Sequence, residues 1–86
     1  MSSKKANHLQ QEIRNIFHDV KFNKGQIVFK ESSIKSEEQL VLSKEINRQI
    51  ACYLMHGYEG GYANYMSKER IKMLIRNYID VRSRIK

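Results

Sequence analysis

Cys52 and His56 stand four residues apart, a spacing that puts a thiol and an imidazole on one side of a helix. An imidazole beside a thiol is the beginning of a nucleophilic centre, because it can draw off the thiol proton. Turnover would also need an oxyanion hole and a substrate cleft, for which a chain of 86 residues has little room. Two ligands do not make a zinc site either. No second cysteine exists, and His8 and His18 are scattered without metal-ligand spacing. Cys52 is better accounted for as a small buried apolar group and His56 as a residue near a helix C-terminus. The glutamates of the middle segment are spaced as caps and surface charges. Neither an enzyme nor a bound metal or cofactor is expected.

A second cluster follows directly. Tyr58, Tyr62 and Tyr65 share one stretch with Gly57, Gly60 and Gly61. Tyrosine faces can stack nucleobases, or form the centre of a protein interface at low entropic cost. They can equally pack beneath a loop and close the end of a helical hairpin. Gly57-Tyr58-Glu59-Gly60 resembles the G-x-x-G of KH domains, and that resemblance implies a loop between two helices clamping a nucleic-acid backbone. Glu59 would repel phosphate, and the three-stranded sheet of a KH domain has no support elsewhere in the sequence.

The charge pattern is the strongest feature. From residue 68 onward, seven Lys/Arg face only Glu69 and Asp80, a net +5. Residues 1–30 carry +4 and residues 31–67 carry −2, for a total of +7. A basic–acidic–basic chain of this kind suits an anionic partner, nucleic acid first. Lys68, Lys72, Arg76 and Arg84 would meet phosphates from a closing helix, with Lys4 and Lys5 adding contacts from a flexible basic N-terminus at residues 1–5. Glu69 and Asp80 lie between those cations, so a solvated polar face explains the same residues. The rival partner is an acidic protein, docked through the same surface and the Gly/Tyr loop by an adaptor or inhibitor.

Size limits the rest. Residues 1–86 make a single small domain, burying roughly 60–65% of the surface its unfolded chain exposes. Such a thin margin makes a homodimer a live expectation. No apolar run approaches the roughly 20 residues of a membrane span. Met1-Ser2-Ser3-Lys4-Lys5 lacks the apolar stretch of a signal peptide, and one cysteine fits a reducing compartment. A cytoplasmic protein is expected.

These residues must be positioned by a small set of elements. Leu9, Ile13, Ile16, Phe17 and Val20 line one face of a helix over residues 6–20. Phe22-Asn23-Lys24-Gly25 signals a turn, and residues 26–30 then suit a short strand. That strand needs a partner, either residues 32–35 or its twin in a second subunit. Ser36-Glu37-Glu38-Gln39 fits a capping box opening a helix of about twenty residues, whose apolar face reads Leu42, Ile46, Ile50, Tyr53 and Leu54. A loop over residues 57–66 precedes a last helix capped by Ser67, with Met66 and Ile71 placed as a hydrophobic staple. Its buried stripe is Ile71, Leu74, Ile75, Tyr78 and Ile79. Arg82 falls on that same stripe, either at a frayed end or aimed at a partner or an acidic ligand.

The expected fold is therefore mainly α: a small three-helix domain with one short strand or extended turn between helices 1 and 2. The ten-residue connection excludes a standard helix-turn-helix, which turns in three or four. A ribbon-helix-helix, one strand pairing with its twin before two helices, is the alternative architecture.

Overall fold

The computed structural model describes residues 3–56 and 62–84. Three helices dominate, α1 (Ser3–Ile16), α2 (Glu37–His56) and α3 (Tyr62–Arg84), with strands β1 (Phe22–Asn23) and β2 (Gln26–Ile27) between the first two. The three-helix expectation holds.

α1 presents Leu9 and Ile13 to the core at 1% and 0% exposure. It begins at Ser3, three residues before the expected start, and Lys4 lies in its first turn. It also ends earlier than the periodicity suggests, at Ile16, followed by a turn. Phe17 and Val20 nevertheless stay buried, because the chain folds back over the end of the helix.

The strand has its partner in its own chain, and it is neither of those expected. β1 and β2 pair antiparallel, with Phe22 opposite Ile27 and Asn23 opposite Gln26. The Val28 N–H extends the ladder to the Lys21 carbonyl at 2.9 Å. Between the strands, Lys24 and Gly25 both have positive φ, 55° and 83°, as a two-residue hairpin turn of the I′ kind requires. Residues 31–33 form a single 3₁₀ turn and pair with nothing as a strand.

The outer edge of β2 is closed by a side chain. The Ile27 N–H donates to Asn47 Oδ1 at 2.8 Å, and Asn47 Nδ2 donates to the Ile27 carbonyl at 2.9 Å. An amide group here does what a third strand would do, satisfying both outward backbone groups of a buried residue. A ribbon-helix-helix dimer would need that edge for its twin, so this alternative is set aside.

At the start of α2, Ser36 Oγ accepts the Gln39 N–H at 3.2 Å, the first half of the capping box. The second half differs. Gln39 Oε1 accepts from the Lys35 N–H at 2.8 Å, and Nε2 donates to the Ser33 carbonyl at 3.1 Å and towards the Tyr78 hydroxyl at 3.5 Å. This amide has no solvent exposure and ties the connector to both later helices.

α2 and α3 form an antiparallel hairpin, since Gln39 near the start of one meets Tyr78 near the end of the other. Ile46, Ile50, Ile71 and Ile75 are fully buried along it. Each contributes roughly 1.5–3 kcal/mol by leaving water. α3 starts at Tyr62, so Ser67 is not its cap and Met66 is not a staple. Once a helix is nucleated, Ala63, Asn64, Tyr65 and Met66 extend it at little cost. The connection is thereby shortened to residues 57–61, with Gly57-Tyr58-Glu59-Gly60 outside the described residues.

Asn47→Ala is expected to cost about 1–3 kcal/mol by leaving the Ile27 N–H and carbonyl buried without partners. Lys24→Asn should go the other way, gaining up to about 1 kcal/mol, because asparagine tolerates positive φ better than lysine does. Thermal denaturation followed by circular dichroism would check both; equal midpoints for Asn47→Ala and the parent would contradict the first.

Candidate functional site

The cations of the closing helix fall into two groups. Lys68 Nζ donates to Glu12 Oε2 and Lys72 Nζ to Glu12 Oε1, each at 3.0 Å, bridging α3 to α1. His8 Nε2 lies 2.7 Å from the same Oε2. The Lys68 hydrogen bond, reinforced by Lys72 and opposed by partial burial, holds the Glu12 carboxyl at about 2, below its ordinary 4.5. The same contact raises the Lys68 ammonium. These two lysines therefore serve as structural partners of an interhelical carboxylate.

The other expected contacts are distributed differently. Arg76 is exposed and has no ion pair among the described residues. Arg84 lies 3.3 Å from Asp80, with both groups mostly in water. Lys4 is exposed, while the side chain of Lys5 lies outside the described residues. So do Tyr58 altogether and the side chains of Tyr62 and Tyr65, whose backbones belong to α3. Cys52 is exposed rather than buried, because the apolar face of α2 turns Tyr53 and Leu54 inward instead.

A recess lies at the opposite end of α3, and Arg82 is the only residue of it that the sequence pattern singles out as a possible ligand contact. Its volume is about 320 Å³, and three chain segments line it. The turn after α1 gives Phe17, Asp19, Val20 and Lys21; the segment after β2 gives Val28, Phe29, Lys30 and Ser33; α3 gives Tyr78 and Arg82. Phe29 packs 4.9 Å from Tyr78 between ring centroids, and Phe17 lies 5.9 Å from Tyr78, in tilted arrangements typical of aromatic clusters. Phe17 and Tyr78 are buried, whereas Phe29 is only partly buried.

Around this aromatic floor stand Lys21, Lys30 and Arg82, against one carboxylate, Asp19. All four side chains are exposed, and none makes an ion pair among the described residues. Arg82 has left the apolar stripe, where Val81 takes the buried place at 5% exposure. Its guanidinium lies 5.3 Å from the Phe17 ring centroid, a cation–π distance that lays the group along the recess. Val28, 46% exposed, forms an apolar lip. The arrangement can receive an anion at the rim and a flat apolar group at the floor.

Other surface features are less organised. Leu40, Val41, Met55 and Met73 are exposed, but apart from the adjacent Leu40 and Val41 they are dispersed over α2 and α3. No helix among the described residues is long and apolar enough to cross a membrane. No family model, no curated protein and no solved structure matches this chain.

Glu12→Gln has a signed pH dependence. The depressed carboxyl stabilises the fold above pH 4.5, and that contribution disappears as pH falls towards 2. The substitution should cost on the order of 1–2 kcal/mol at neutral pH, after allowance for solvent screening, and almost nothing near the acid limit. Urea midpoints of both proteins across this range test it; a gap that stays constant with pH would be contrary to the assignment.

Proposed function

We propose that this chain is a small nucleic-acid-binding protein whose lysines and arginines meet phosphate oxygens. The observation that carries the reading is the set of unneutralised cations Lys21, Lys30 and Arg82 around an aromatic-floored recess. A recess lined by three positive groups and one carboxylate, Asp19, none of them ion-paired among the described residues, keeps a net positive charge for an anion from outside. Arg76 and Lys4 are further exposed cations, and Arg84 is another that Asp80 partly offsets. Lys68 and Lys72 contribute less than their position suggests, since Glu12 binds both. Phosphate contacts of this kind supply affinity and orientation, not sequence discrimination. An exposed thiol at Cys52 suits work in a reducing cytoplasm.

If Lys21, Lys30, Arg76 and Arg82 each engage one phosphate, affinity should fall roughly 50–150-fold between about 50 and 200 mM salt. Fluorescence anisotropy with labelled oligonucleotides measures this directly. Lys30→Glu with Arg76→Glu should flatten the salt slope. Binding that is absent at the lower salt, or indifferent to salt, would overturn the reading and turn attention to an acidic protein partner.

A further inference from the structure

We infer that the recess takes one unstacked nucleotide of a single strand, so that the protein favours single-stranded over duplex nucleic acid; this rests on the nucleic-acid reading above. Duplex readers normally project a helix or a two-stranded ribbon into the major groove. The two candidate projections are poorly placed for this. On α3, Arg70 and Arg76 stay exposed, but Glu12 holds Lys68 and Lys72. The hairpin tip lies against α2, where a Cβ at Gly25 would come within 3.3 Å of Leu54 Cδ1. Three cations without an ion pair among the described residues, Lys21, Lys30 and Arg82, instead line a concavity that a convex duplex cannot enter.

The dimensions and chemistry of the recess suit a single nucleotide. Its volume of about 320 Å³ is at the small end of ligand sites, which run from roughly 300 to 1,000 Å³. Phe29 and Val28 offer an apolar surface to a base, while Lys21, Lys30 and Arg82 stand where the flanking phosphates would lie. Stacking on an aromatic ring within a positive groove is how single strands are held without sequence preference. Asp19 is the one lining group that opposes the ligand.

The test is anisotropy titration of the full chain with a labelled oligothymidylate, an RNA strand and a duplex at low salt. The single strands should bind at least about tenfold tighter than the duplex, because only an unstacked base reaches the aromatic floor. Lys30→Glu should remove most of that preference, whereas Lys44→Glu, on the exposed side of α2, should not. Asp19→Asn should tighten single-strand binding several-fold, a gain that misfolding cannot mimic. The chain has no tryptophan, so Phe29→Trp adds a single indole whose fluorescence a stacked base should quench. Equal affinity for single strand and duplex, with Lys30→Glu and Lys44→Glu alike, would overturn the inference while leaving general nucleic-acid binding in place. No binding to any of the three would overturn both.

Discussion

The amide of Asn47 is the interaction on which the rest depends. The chain between α1 and α2 is some twenty residues long, and its only sheet has two residues in each strand. A hairpin of that size is not stable alone in water. Asn47 fixes it to α2 by accepting from and donating to the same buried residue, Ile27. Gln39 does similar work further along, holding Ser33 and Lys35 against the hairpin of α2 and α3. Between these two anchors run Val28, Phe29 and Lys30. The position of the recess over Tyr78 is therefore set by two side-chain amides rather than by a sheet.

Net charge and usable charge differ in this molecule. The total of +7 suggests a uniformly attractive surface. Glu12, however, takes up the two lysines nearest the middle of α3, and Asp80 partners one arginine at its end. Glu45 holds Arg48 on α2 in the same way, which lowers the Glu45 carboxyl. Lys24, Lys35, Lys44, Arg70 and Arg76 also lack an ion pair among the described residues, but Lys21, Lys30 and Arg82 come together where the connector meets the last turns of α3. Those cations also lie near the negative end of the α3 dipole, an effect confined to the last turn that Arg82 and Arg84 offset.

The helices were legible because burial imposes a period: Leu9 and Ile13, Ile46 and Ile50, and Ile71 and Ile75 repeat at helical spacing. The start of α2 was legible through Ser36, a local hydrogen bond with a local signature. The turn at residues 22–25 and the strand after it were legible through Gly25, but the strand's partner was not, since Lys24 at positive φ hides a two-residue turn for which asparagine or glycine is the usual signal. Nor could the sequence reveal which lysines are neutralised, as Glu12 lies 56 and 60 residues from its partners. Arg82 on an apolar stripe was the one sequence sign of the recess. Phe29 and Lys30 carried none, because their roles arise only when the connector crosses α3.

The most direct test of this account is a ¹⁵N-resolved NMR titration of the chain with a short oligothymidylate. Amide shifts are expected to concentrate at Lys21, Phe29, Lys30 and Arg82, with Val41 and Met55 on the far side of α2 unmoved. Shifts confined to Val41 and Met55, or no shifts at all, would contradict the assignment of the cationic recess as the binding site.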